Sequence, residues 1–349
     1  MDPQRPLDVL IVSLGSTAGL RAADAELRDS LERAGANVVI AGARAPAQTR
    51  TLMLTDLAWA RAARSACRDR LAQPSHSTPP AIVYSSTTAA LLWQRPGAIR
   101  FDAPSAGNRP GRHGLWQRPL ERRRLAQAPL LLPWSEGGLG EAPQSARVDG
   151  RAFVLPVAVE ASGPFEAVRD IAAITYAANP AKKGLDRVLA AWRRVRAQRA
   201  GDEHGELVVA GASARELRAA GIDVEGDRGV RIVGALSAAE YRALVRRARV
   251  FVCAPRREDY GIAQLEALAD GCLLVSTPAP GPYVALALAR ALDARLVSDD
   301  LDGALRTALD DPPAHYAARA RAALAPFSRA AIDAKVAGEL LPKLIEMRR

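Results

Sequence analysis

The chain has 349 residues, more than one ordinary domain holds, and predicts two domains of roughly 150 to 170 residues each. Apolar residues make up 49% and charged residues 25%, which excludes a mainly disordered, collagen-like or coiled-coil protein. The formal net charge of +10 suits an anionic partner, but 44 of the 48 basic residues are Arg scattered from end to end, and aromatics at 5% are too few for a stacking platform, so nucleic acid is not the expected partner.

No stretch approaches twenty uncharged apolar residues, and the first fifteen residues lack the charged flank, apolar run and cleavage site of a signal peptide. A soluble cytoplasmic protein is expected. The three cysteines, Cys67, Cys253 and Cys272, show no Cys-x-x-Cys spacing, and the four histidines lie far apart, so neither a disulfide framework nor a zinc site is expected.

In chain order, residues 7–13 read as a buried strand, followed by the small-residue turn 14–19, a helix to about residue 34 and a strand at 37–42. A helix near 55–72, strands at 81–86 and 98–102, a basic helix near 116–127 and the run 130–135 continue the alternation. Residues 161–168, small and Pro/Gly-containing, are the expected interdomain break. Strands at 171–177, 206–211, 230–236, 250–255, 272–278 and 294–299 then alternate with helical stretches. Apolar strand runs alternating with helices imply parallel sheets covered on both faces, here two doubly wound Rossmann-like halves with a cleft at the carboxyl ends of their strands. The expected domains are 1–160 and 161–326, with a closing helix over 327–349 that has the option of packing back on the first.

Residues 250–278 are the most informative. A strand ends near Pro255, a polar loop carries Glu258 and Asp259, and Gly261 opens a helix closed by Gly271. Free amides and the positive dipole end at such a helix start suit a diphosphate. Glu258 and Glu266 would flank that anion at different depths; the same spacing also fits a capped βαβ unit with two solvated acids.

Residues 258–271, EDYGIAQLEALADG, resemble the E-x7-E signature of retaining glycosyltransferases of the GT-B fold, in particular family 4. FVLPVAV at 153–159, TYAANPAKKGLDRVLAAWRRV at 175–195, the strand, Gly turn and helix of 229–252, and PFS at 326–328 resemble further segments of that family. The resemblance covers residues 150–349 well and residues 1–150 loosely. It implies a GT-B fold and a metal-independent retaining hexosyltransferase, with a nucleoside diphosphate sugar (GDP-mannose or UDP-glucose type) as co-substrate and no bound cofactor. Carried over residue by residue, it implies Glu266 on the ribose hydroxyls, Glu258 on a hexose hydroxyl, the Gly261 and Ile262 amides on the diphosphate, and Lys183 as the cation facing the leaving group. In retaining relatives the leaving phosphate is thought to take the acceptor proton, so no protein base is required.

Two departures stand out. The Gly-Arg pair that usually precedes the lysine is Ala177-Ala178 here, and the His-Asp pair of the first domain is Phe101-Asp102. The following loop offers Asp102, Asn108, Arg109, Arg112 and His113 as acceptor-side candidates, in the kind of long Gly/Pro-bearing loop that often binds ligands. Gly15 and Ser16, in the small-residue turn after the first strand, are candidates for the donor side. The turn lacks G-x-G-x-x-G spacing, and no acidic residue ends the second strand, which argues against nicotinamide chemistry; no P-loop is present. Residues 299–302 contain an Asp-x-Asp spacing, but Ser298 to Asp300 directly precede the helical run LDGALRTALDD and read as an N-cap with dipole-favouring acids, so no metal is expected. Arg118, Arg122, Arg123 and Arg124 form a basic face on the helix near 116–127, with Trp116, Leu120 and Leu125 as its inward stripe. That face is either plainly solvated or guides an anionic or membrane-associated acceptor, which would make the protein peripheral at the inner face of a membrane. A nucleotide-sugar epimerase or phosphorylase on the same fold, and a non-catalytic binder of an anionic polymer, remain alternatives.

Overall fold

A computed structural model describes residues 6–47, 49, 51–73, 78–109, 111–148, 150–164, 168–198, 205–224 and 226–348. The chain divides into two compact units, Met1–Ala158 with Phe327–Arg349, and Val159–Pro326. The break expected at residues 161–168 includes 165–167, which lie outside the described residues.

The first unit runs β1 (Val9–Ser13), α1 (Ala18–Arg33), β2 (Val38–Gly42), α2 (Leu52–Leu71), β3 (Ala81–Tyr84), α3 (Thr87–Ala90), β4 (Ala98–Phe101), α4 (Gln117–Gln127), β5 (Leu131–Pro133) and α5 (Glu136–Glu141). Its five strands are parallel in the order β2-β1-β3-β4-β5, so the chain reverses its direction of travel across the sheet between β1 and β3. Every residue of β1 is buried because helices cover both faces. The alternation of side chains sorts the core. Leu10, Val12, Ile82 and Tyr84 pack with Cys67 of α2 and Leu125 of α4, whereas Val9, Ile11 and Val83 pack with Leu27 and Leu31 of α1.

The second unit runs β6 (Ile171–Tyr176), α6 (Pro180–Lys183), α7 (Leu185–Ala197), β7 (Leu207–Ala210), α8 (Ala214–Ala219), β8 (Val230–Gly234), α9 (Ala238–Arg247), β9 (Ala248–Cys253), α10 (Ile262–Ala269), β10 (Leu273–Ser276), α11 (Val284–Leu292), α12 (Leu301–Asp310) and α13 (Tyr316–Ala323). Its parallel order, β10-β9-β6-β7-β8, puts the reversal between β6 and β9. Ser213 with Glu216 and Ser237 with Glu240 form capping boxes that fix the starts of α8 and α9. The strand expected at 294–299 does not form. Ala294–Leu296 is a 3-10 turn capped by Asp293, and Val297 alone bridges to Ser276 at the sheet edge.

Residues beyond Pro326 return to the first unit as α14 (Arg329–Lys335), a π turn at Val336–Leu340 and α15 (Leu341–Glu346). Pro342 has no N–H to donate, and the turn before it widens accordingly. Ile332, Val336, Leu340 and Leu344 complete the core on the α1 side of the first sheet. Asp333 accepts from Ser30 Oγ at 2.6 Å and Arg33 Nε at 2.7 Å, and Arg348 donates to Asp8 at 2.6 Å.

Candidate active site

In open α/β sheets, ligands lie beyond the carboxyl ends of the strands where the strand order reverses. In the second unit that point joins the loop after β6 to the loop after β9. Asn179 caps α6 by accepting the Lys182 amide at 3.0 Å. Gly184 follows with φ 64°, and a Cβ there would stand 1.8 Å from the carbonyl oxygen of Ala254. Only glycine permits this approach of the two loops. Arg256 fastens them, its amide donating to Lys182 O at 2.9 Å and its guanidinium to Ala181 O and both oxygens of Asp186.

The approach brings Lys183 against Glu258, with Nζ 2.6 Å from Oε2. Lys182 Nζ lies 3.1 Å and Arg257 Nε 2.8 Å from the carboxylate of Asp259. Three cations thus face two nearly buried carboxylates. Gly261, with φ 92°, is the N-cap of α10 and supplies no side chain to its first amides. A Cβ at Gly261 would come within 3.0 Å of Ala285 and Tyr283, so this corner also requires glycine. A basic cluster and an uncapped helix start at a sheet reversal are chemically suited to an anion.

Beneath it runs a buried polar chain. Gln264 Nε2 donates to Glu258 Oε2 at 3.2 Å and lies 3.3 Å from the Tyr283 hydroxyl, which pairs with Ser276 Oγ at 2.9 Å. Gln264 Oε1 is buried without a hydrogen-bond partner among the described residues. Burial pushes the Cys253 thiol and the Tyr283 phenol up, keeping both neutral in this chain.

Glu266 sits further along α10, half-buried, 3.3 Å from Arg242 Nη1. Burial raises its carboxyl above the ordinary value, against the opposing pull of Arg242. Arg242 also bonds Asp270 at 2.6 Å and the carbonyl of Glu160 at 2.8 Å. Beside them, burial and the charge of Glu266 push the Tyr241 phenol well up, and its hydroxyl has no partner among the described residues.

The first-unit candidates are dispersed. Gly15, with φ 58°, and Ser16 lie in the turn after β1; Gly15 donates to Ser13 Oγ at 3.1 Å and accepts from Arg21 at 2.7 Å. Gly15 helps line a cleft of about 360 Å³ with Arg21, Asp24, Ile40 and Trp59, while Ser16 is exposed. Asp102 accepts the next amide, that of Ala103, at 2.8 Å, and the Asn108 carbonyl accepts from Arg109. Arg109 grips the buried Asp56 with two hydrogen bonds at 2.6 and 2.8 Å, which raise its guanidinium further. It is therefore engaged in holding the loop to α2. Arg112 and His113, in a 3-10 turn at Gly111–Gly114, are exposed.

The stripe expected on the basic helix is corrected. Gln117, Glu121 and Leu125 face inward on α4, whereas Trp116 and Leu120 are only half-buried. Glu121 is drawn in because Ser105 donates to it through both N and Oγ, at 2.8 and 2.6 Å. The basic face is also smaller than expected. Arg118 bonds the carbonyls of Gly111 and Gly114, and Arg124 bonds Leu91 O and stacks on Trp93 at 4.7 Å, which leaves Arg122 and Arg123 exposed.

Inspection of the sequence missed Lys182, Arg257, Gln264, Tyr283, Tyr241 and Arg242. The first three adjoin or interrupt the motif and were legible as its polar neighbours. Arg242 and Tyr241 carry no local signal. Asp300 caps α12 by accepting Gly303 N at 3.0 Å, and Asp302 pairs with Arg194. Among the described residues no group of three His, Cys, Asp or Glu is placed to hold a metal ion, and no helix is long and apolar enough to cross a membrane.

Residues 170–324 match the family model described as glycosyl transferases group 1. No curated protein matches the chain in sequence. Among solved structures, the glycosyltransferase WaaG, involved in lipopolysaccharide biosynthesis, superposes with a TM-score of 0.68 at 14% identity, over 95% of this chain and 98% of its own. An α,α-trehalose-phosphate synthase (UDP-forming) from Burkholderia xenovorans gives 0.68 at 14%, over 97% and 99%. A sucrose-phosphate synthase from Thermosynechococcus elongatus gives 0.65 at 16%, over 98% and 100%. At these identities the likeness shows the fold.

Proposed function

We propose that this chain, whose residues 170–324 match the family model described as glycosyl transferases group 1 and whose fold is like that of GT-B glycosyltransferases, transfers a hexose from a nucleoside diphosphate sugar to an acceptor hydroxyl with retained configuration. The observation that carries this is the basic cluster at the start of α10, with Glu258 and Glu266 at two depths from it. The diphosphate lies against the amides of Gly261 and Ile262 and the ammonium of Lys183. Glu266 takes the ribose hydroxyls beside Tyr241, and Glu258 a hydroxyl of the hexose. Gly15 and Ser16 belong to the donor side as well.

Charge grows on the diphosphate as the sugar bond breaks, so a cation and amides fixed at that place lower the barrier more than they tighten binding. Lys182 and Arg257 supply the positive charge that Ala177-Ala178 does not, and leaving-group stabilisation needs no metal. UDP with glucose in an Anabaena HepE structure supports a donor of UDP-glucose type; Asp259 after Glu258 favours GDP-mannose. The acceptor is anionic or membrane-associated, met by Arg112, His113, Arg122 and Arg123, with Asp102 and Asn108 nearer the strand end, on a cytoplasmic protein peripheral to the membrane.

A panel of nucleoside diphosphates and their sugars, read by melting temperature and then by hydrolysis of the donor without acceptor, tests the proposal. A UDP or GDP sugar should stabilise the protein and be hydrolysed slowly. A panel in which no nucleotide shifts the melting temperature overturns it.

A further inference from the structure

In this structure the ammonium of Lys183 is already taken by Glu258 at 2.6 Å. The donor site as proposed above asks the same ammonium to face a diphosphate. The two anions compete for its single charge, and Glu258, only 6% exposed, now holds it through Oε2, which also receives Gln264.

We propose that Glu258 is an internal stand-in for the donor phosphate. Before binding it neutralises Lys183, and on binding Lys183 exchanges the carboxylate for the diphosphate while Gln264 holds the carboxylate that is released. The inference rests on the donor assignment and adds to it a competition within the protein for one cation. No covalent bond changes; one ion pair replaces another.

The geometry supports the exchange at each partner. Lys183 is the more accessible member, with 22% of its side chain exposed against 8% for Glu258. The backbone of Glu258 is pinned, its amide donating to Pro280 O at 3.1 Å and its carbonyl lying where a Cβ on Gly281 would stand 2.2 Å away. A nearly buried carboxylate that loses a cation needs a remaining donor. Gln264 Nε2, itself 2% exposed and set among Tyr283, Ser276 and Cys253, is that donor. Gln264 is therefore a positioning residue, acting through Glu258.

The competition gives two neighbouring residues effects of opposite sign on the same ligand. By titration calorimetry with UDP and GDP, free of sugar, Glu258→Gln should tighten binding about tenfold by removing the competitor. Gln264→Met, close in volume but without the amide, should weaken it about fivefold, because the released carboxylate then lacks a donor. Both changes should vanish in a Lys183→Met background, and the affinity for a nucleoside monophosphate should stay the same throughout. Mere loss of structure would weaken binding in both variants. Unchanged or weakened diphosphate binding in folded Glu258→Gln, with the wild type still binding UDP or GDP, overturns the stand-in and leaves the donor assignment intact. A wild type that binds neither nucleotide overturns both.

Discussion

The carboxyl ends of the two sheets handle charge in opposite ways. In the first unit Asp24 and Arg100 are 1% and 2% exposed and answer one another, Asp24 accepting from Ser13 Oγ at 2.5 Å and Arg100 reaching Asp24 and the carbonyl of Ala23. In the second, Lys183, Lys182 and Arg257 are partly exposed beside the nearly buried carboxylates of Glu258 and Asp259. Sealed pairs fix a scaffold; partly exposed cations remain accessible to a ligand. Position at a strand end therefore does not by itself mark a site, and the exposure of the cation separates the two cases.

Breaking the sealed pair gives the largest expected effect. Arg100→Leu leaves Asp24 buried without its cation, and urea unfolding should show a loss of about 3 to 5 kcal/mol. A loss below 1 kcal/mol would remove the contrast. Lys183→Ala tests the half-open side. It should lower turnover of the donor by about 10²- to 10³-fold, the scale for one group facing a developing anion, with little change in melting temperature. Equal losses in turnover and in nucleoside monophosphate binding would reduce Lys183 to a binding residue.

Smaller effects sharpen the picture. Glu266→Ala should weaken nucleotide binding by about 1.5 to 3 kcal/mol, the range for hydrogen bonds to a charged group, and unchanged affinity in a folded variant would end its assignment to ribose. Changing Arg122 and Arg123 to Gln should cost about 1 kcal/mol per residue of attachment to anionic vesicles at low salt. If the wild type does not sediment with such vesicles, the membrane proposal fails. The smallest effect concerns pH. Because burial holds the Glu266 carboxyl above its ordinary 4.5, ionising it costs the fold nothing below that value and progressively more as pH rises through it to the folded value. Glu266→Gln removes this cost, so unfolding free energies at pH 4 and pH 7 should differ in the variant's favour at the higher pH; a flat or reversed difference contradicts the assigned shift.

What the sequence disclosed follows from the range of the interactions concerned. Strand runs such as 81–86 and 171–177 were legible because burial on both faces leaves continuous apolar residues. The start of α10 was legible because Gly261 and the two glutamates lie within one short segment. Contacts between distant residues were not. Glu121 is buried for the sake of Ser105, Arg109 is held by Asp56 across 53 residues, and Lys183 meets Glu258 across 75. The run 294–299 has strand composition but touches the sheet edge only through the single bridge of Val297 to Ser276, with the Ser298 amide donating to Ser276 O, and reach is not a property of composition.

The division of the first unit has a consequence for the order in which the protein is made. Val159–Pro326 is continuous, so all of its strands and helices are present once Pro326 has been added. The first unit begins earlier and is completed later, because Ile332, Val336, Leu340 and Leu344 arrive only after the whole of the second. Throughout that interval Leu27, Leu31 and the α1 side of the first sheet lack their cover. A nascent chain stalled after Pro326 would present an apolar face to the cell even with its second unit fully formed, and would be the species most exposed to chaperones and proteases.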